Sequence, residues 1–313
     1  MTRHIKWVLA HEPIELFIRA AKVFAKEVNK NAPEQLDVEV MTMSEYGEKY
    51  NNGVSPNKHS LVDLLDNGQI QMSQTYTITL GKLNQDFFAL DLPFLFKDHN
   101  HASRVFEGEV GTGLLDSLQE SRKIKGLAFT YSGGFRIIPG NERVDRIEDL
   151  QGMRVRTSHS PVAIDTFKIL GANVVPMEIE ELTDNLSDET VTVGESTYPR
   201  VYSLGHNTAS SYINHTEHSL FLTSILIGSE FWDSLTPELQ TVVSDAAKIA
   251  ARYERGISIK DVLATQQRCE NDGIEIVKMS AEEQARFADA TKSIYTKYAD
   301  YFTPGLVEKI QLH

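Results

Sequence analysis

The order of the hydrophobic patterns constrains this chain more than any single residue does. Short runs that alternate apolar and polar side chains are followed repeatedly by stretches whose apolar residues recur every three or four positions. "HIKWVLA" (4–10) reads as a strand, and Pro13 opens a helix that carries Phe17, Ala21, Phe24 and Val28 on one face. "LDVEVMT" (36–42) is a second strand, expected to pair with the first. "LVDLLDNG" is a helix closed by Gly68, and "QIQMSQT" is the third strand. Strands that alternate with helices in this way form mostly parallel sheets covered by helices, an α/β protein.

The pattern continues to the carboxyl end. Pro93 interrupts regular structure, and a helix is expected to start near Asn100. "IKGLAFTYSGGFRIIPG" (124–140) is a long strand broken by Gly133 and Gly134, a pair that marks a bend or a crossing between domains. "EDLQG" and "IEELTDNL" are short helices, "SPVAIDTFKILG" is a helix closed by Gly171, and "MRVRTS", "ANVVPM", "TVTVGES" and "HSLFLTSILIG" are strands. Thr236 and Pro237 start a long helix to about Gln267, and Ser280 with Glu283 forms a capping box for a last helix over 281–299.

At 313 residues the chain is long enough for two domains. It carries 44 acidic against 31 basic residues, a net charge of −13 that disfavours nucleic acid and anionic lipid as partners. Cys269 is the one cysteine, so neither an intrachain disulfide nor a cysteine metal motif can form. No apolar run is long enough to span a membrane. The amino terminus enters a strand almost at once, with no signal-peptide core or small-residue cleavage site. Two expectations stand: a cytoplasmic chain, or a mature form with a start methionine.

Motif by motif, most catalytic chemistry finds no support. His99 and His101 beside Asp98 lack a third and fourth metal ligand nearby. "GEVGTG" (108–113) has no P-loop lysine and reads as a glycine-tolerant helix turn. No G-x-S-x-G is present, and the Asn185 and Asn214 glycosylation triplets carry little weight. Arg136 in "GGFRII" and Arg156 in "MRVRTS" differ, because each sits amid strand-forming apolar residues. A guanidinium there needs an anionic partner, and its planar fork matches a carboxylate. If Arg156 ends a parallel strand, it reaches the edge of the sheet where α/β proteins bind ligands. An internal salt bridge to an acidic residue is the competing reading.

These stretches also resemble a known family, the extracytoplasmic solute-binding proteins of tripartite ATP-independent periplasmic (TRAP) transporters, dicarboxylate-receptor type. "ALDLPFLFKDHNHASRVFEGEVGTGLLDSL", "YSGGFR", "DLQGMRVRTSHSP", "LGANVVPM" and "FWDSLTPELQTVVSDAAKIAARYE" are similar to its motifs in order and spacing, over nearly the whole chain. The resemblance implies a two-lobed fold of periplasmic-binding-protein type, each lobe a mostly parallel sheet flanked by helices, with crossing hinge strands and a long connecting helix. Residues 1–132 plus 222–256 would form lobe I, and 133–221 plus 257–313 lobe II, with the ligand cleft between them. Closure on the ligand would then be a population shift.

The resemblance implies that Arg156 pairs with a ligand carboxylate and that Arg136 assists. Glu195 matches a glutamate of the family, while Ser196 stands where an asparagine is usual and reaches the ligand through water. Ile179 replaces a covering aromatic. Position also places His11, Glu12, Gln74, Thr75, Tyr76, Ser158, His159, Tyr198 and Arg200 at the pocket wall. Their hydroxyl, amide and imidazole groups favour a polyhydroxylated or otherwise polar acid, such as a sugar acid, over a simple aliphatic one. The expected function is a non-enzymatic periplasmic receptor, a monomer without cofactor or metal, that delivers a small organic acid to the membrane subunits of a TRAP transporter. That location requires a signal peptide already trimmed. The alternative is an α/β enzyme acting on an anionic metabolite, with Glu195 or a histidine as base. A receptor for an ATP-driven importer of the same architecture fits the arginine strand less well.

Overall fold

The computed structural model describes residues 2–11 and 15–313. They form two compact units: one of residues 2–84, 103–131 and 222–257, the other of 85–102, 132–221 and 258–313. Residues 85–102 belong to the second unit, whereas the sequence division put them in lobe I.

The first unit is built on β1 (Arg3–Leu9), β2 (Leu36–Met41), β3 (Met72–Tyr76), β4 (Ile124–Phe135) and, later in the chain, the strand Leu220–Gly228. Their order is β2-β1-β3, then Leu220–Gly228, then β4. β1 pairs in parallel with β2 and β3, while Leu220–Gly228 runs antiparallel to β3. Trp7, Phe17 and Phe24 fill its core, with the Trp7 and Phe24 rings edge to face at 5.0 Å. The helix Glu15–Asn31 supplies both phenylalanines from one face, as the spacing predicts.

The second unit carries β5 (Ile138–Gly140), β6 (Arg154–Thr157), β7 (Asn173–Pro176), β8 (Val193–Gly194), β9 (Tyr212–His215) and, after Leu220–Gly228 as β10, β11 (Glu275–Lys278). The sheet order is β11-β9-β5-β8-β6-β7. β6 is parallel to both β7 and β8, and β11 to β9, whereas β5 runs against β8 and β9. Val155, Phe167, Val193 and Phe287 anchor its main core.

Three expectations need correction. The helix expected over 281–299 is two, Ala281–Ala290 and Lys292–Lys297, because the chain breaks at Thr291. The Ser280 hydroxyl accepts from the Glu283 amide, but the Glu283 carboxylate turns to the Ile147 amide and Arg286, so half of the capping box is absent. A further helix, Leu306–Leu312, follows as the last. The long helix does begin at Pro237 and extends to Asn271. β4 runs through Gly133 and Gly134 without the expected break, although both adopt positive φ, +96° and +89°, and it ends at Phe135. No helix among the described residues is long and apolar enough to cross a membrane.

Candidate functional site

The two arginines of "MRVRT" share a face of β6 because they lie two apart, yet their surroundings differ. Arg154, at the start of the strand, is exposed and donates to the carbonyls of Glu189 and Thr190. Arg156, at the end, is 3% exposed. Its Nε and Nη2 donate to the Met177 carbonyl at 3.0 and 2.6 Å, and Nη1 donates to the Glu195 carbonyl at 2.9 Å. Those acceptors are backbone oxygens, so the side chain is fixed in place while, among the described residues, no carboxylate is bonded to its fork. Three of five N–H groups are used. Burial lowers its pKa to about 10, with Glu195 opposing and Arg136 adding to the shift. Gly194, paired with Arg156 across the sheet, makes room: a Cβ there would lie 2.9 Å from the Arg156 Cβ and 2.5 Å from a Leu182 methyl.

Two more buried guanidiniums belong to this unit. Arg136, just beyond β4, donates from Nη2 to Asp91 (3.5 Å), and its Nε lies 3.9 Å from Glu195. Its Cζ sits 4.1 Å from the Phe221 ring centroid, and the Cζ of Arg200 lies 4.9 Å from the same ring. Arg200, on the helix Tyr198–Ser203, donates to the Ser132 hydroxyl. Burial alone would raise the pKa of Glu195, but Arg136, His218 and Arg156 pull it down to about 2. The opposite holds for Asp91, which burial pushes up against the pull of Arg136. Arg136 thus pulls on both buried carboxylates, and burial prevails at Asp91 while the neighbouring cations prevail at Glu195.

The same unit buries several hydroxyls and imidazoles. Ser196 pairs with Ile137 through the backbone, and its buried Oγ makes no hydrogen bond within the described residues. Ser158 is buried nearby in sequence, its Oγ accepting from the Ser160 amide at 3.4 Å. Glu195 Oε1 accepts from His218 Nε2 at 2.9 Å, and His218 Nδ1 lies 2.8 Å from the Thr216 hydroxyl. His206 is fully buried, with Nδ1 2.9 Å from the Thr183 hydroxyl. The sequence singled out neither Asp91, His218 nor His206. Only the glycine before His206, in the left-handed conformation at φ +74°, gave a local signal.

The remaining expected residues are distributed as follows. His159 is half exposed and 3.8 Å from Glu178, a surface pair. Ile179 packs in the core with Met177, Leu182 and Leu186. Tyr198 packs with Ile137, Val201 and Cys269, and its hydroxyl meets His215 Nδ1 at 2.8 Å. Within the first unit, His11, Gln74, Thr75 and Tyr76 lie buried at and just beyond the ends of β1 and β3. Gln74 Nε2 donates to the hydroxyls of Thr130 (2.9 Å) and Thr223 (3.0 Å), which leaves Oε1 as an acceptor with no partner among the described residues. Glu12 lies outside the described residues. Both nitrogens of His101 are engaged, by the Lys97 amide and the Ile310 carbonyl.

Comparison with known proteins agrees with this architecture. The C4-dicarboxylate-binding protein DctB of Bacillus subtilis is 27% identical over 295 residues, 93% of this chain and 81% of that one. The 2,3-diketo-L-gulonate-binding periplasmic protein YiaO of Escherichia coli is 28% identical over 234 residues, 75% of this chain and 70% of its own. A TRAP periplasmic solute-binding protein of Ochrobactrum anthropi superposes with a TM-score of 0.88 at 27% identity, covering 99% of this chain and 93% of the other. Residues 10–301, nearly the whole chain, match the family described as bacterial extracellular solute-binding protein, family 7. The chain belongs to that family of solute receptors.

Proposed function

We propose that this chain is a receptor for a small organic acid, that Arg156 and Ser196 hold the acid's carboxylate, and that the loaded protein hands it to the membrane subunits of a TRAP transporter outside the cytoplasm. One observation carries the carboxylate assignment: a buried guanidinium oriented by two backbone carbonyls, with no side-chain carboxylate bonded to it among the described residues. A buried charge of this kind is costly unless an anion meets it. The three buried guanidiniums Arg136, Arg156 and Arg200 against the two buried carboxylates Asp91 and Glu195 point the same way, and the ligand names of DctB and YiaO, both acids, fit it.

The geometry favours binding over catalysis. Glu195, the base of the enzyme alternative, is held ionised by Arg136 and hydrogen-bonded to His218, so its affinity for a proton is low. A bound acid should therefore be recovered unchanged after prolonged incubation; conversion seen by mass spectrometry would favour the enzyme. Titration calorimetry with Arg156→Ala should show affinity lower by about 2–5 kcal/mol, the range for truncating one partner of a buried charge pair. Unaltered affinity would remove Arg156 from the site.

A further inference from the structure

His206 has a feature that the carboxylate anchor does not use. The single hydrogen of the Thr183 hydroxyl is directed to the Leu204 carbonyl at 2.8 Å, an oxygen that can only accept. The Thr183 oxygen is then an acceptor for His206, and Nδ1, 2.9 Å away, carries the imidazole hydrogen. That places a bare lone pair on Nε2. Nε2 is buried and makes no hydrogen bond within the described residues, although such acceptors are rarely left unmatched. The ring is close enough to Arg156 and Arg200 for both charges to oppose its protonation, after burial itself. A carboxylate oxygen brings no hydrogen to such a lone pair, whereas an alcohol does.

We propose that His206 selects hydroxylated carboxylates, its Nε2 accepting a hydrogen bond from a ligand hydroxyl while Arg156 holds the acid group. The assignment rests on the carboxylate reading of Arg156 and narrows it to hydroxy acids and sugar acids. Unhydroxylated dicarboxylates leave Nε2 unmatched and are disfavoured on that ground.

Titration calorimetry of the full chain with D-galactonate, D-glucuronate and D-erythronate, against succinate as the hydroxyl-free reference, reads this selectivity as a ratio of dissociation constants. The best hydroxylated acid should bind at least about tenfold more tightly than succinate. His206→Asn keeps an N–H where Nδ1 stood and removes the acceptor at Nε2, and should reduce the ratio about tenfold or more. His206→Gln returns a side-chain oxygen near the Nε2 position and should retain most of it. Equal binding of succinate by the wild type, or an unchanged ratio in His206→Asn, overturns the role of His206 and leaves the carboxylate reading standing. Should His206→Asn lack a cooperative melt, the wild-type ratio and the His206→Gln ratio decide. Failure of all four acids to bind overturns the carboxylate reading, and the selectivity with it.

Discussion

At the scale of single residues, the site is governed by which proton each buried group can hold. His206 illustrates this without any ligand. Burial, then Arg156 and Arg200, lowers its pKa from the ordinary 6.5 to about 3. In the unfolded chain the same imidazole titrates near 6.5, so below that pH the unfolded state binds a proton that the folded state refuses. A depressed folded pKa means that stability is fully present above 6.5 and is lost as pH falls from there toward 3. Between pH 7.5 and pH 5 the loss from this residue should be about 2 kcal/mol. Urea unfolding of His206→Gln should therefore lose about 2 kcal/mol less than the wild type over the same interval. Equal losses would show that His206 titrates normally in the fold. Arg156 was legible in the sequence because an arginine at the end of an apolar strand has few ways to be accommodated. His206 was not, since its buried state depends on Thr183 and on guanidiniums 50 and 6 residues earlier.

Among the elements, long periodic segments announced themselves, and the ones that passed unseen were short. The helix at Pro237 and the strands β1 to β3 were legible because many residues repeat one pattern. β9 and β11, four residues each, and the helix Met43–Tyr50 passed unnoticed. That helix has a capping box, Thr42 with Glu45, but Thr42 also continues the alternating pattern of the preceding strand. β8 has only two residues, yet it carries a strict steric demand. Any Cβ at Gly194 would force Arg156 or Leu182 to shift. We expect Gly194→Ala to cost about 1–3 kcal/mol of stability, as overpacking does. Ligand affinity should fall as well, because the added methyl displaces the stem of Arg156. Chemical denaturation and calorimetry on the same preparation would separate the two effects; unchanged affinity beside reduced stability would show that the space at Gly194 does not position Arg156.

For the molecule as a whole, sheet order turns scattered residues into one chemistry. Asp91, Arg136, Arg156, Glu195 and Arg200 come from five segments, and the neighbours β5, β8 and β6 bring most of them together in the second unit. Because the groups proposed to bind exist as a constellation only in the folded chain, ligand binding is expected to appear as stability. An acid present at about 100 times its dissociation constant should add roughly 2.7 kcal/mol, and at 1,000 times about 4.1 kcal/mol. Arg156→Ala offers a sharper form of the test. A loss of even about 2 kcal/mol in binding raises the dissociation constant roughly thirtyfold. At the concentration that adds roughly 2.7 kcal/mol to the wild type, the variant should then gain less than about 1 kcal/mol. Thermal melts of both proteins across one ligand series would show two parallel curves displaced along the concentration axis. Superimposed curves would mean that the acid is held elsewhere and that the guanidinium at the end of β6 serves the fold alone.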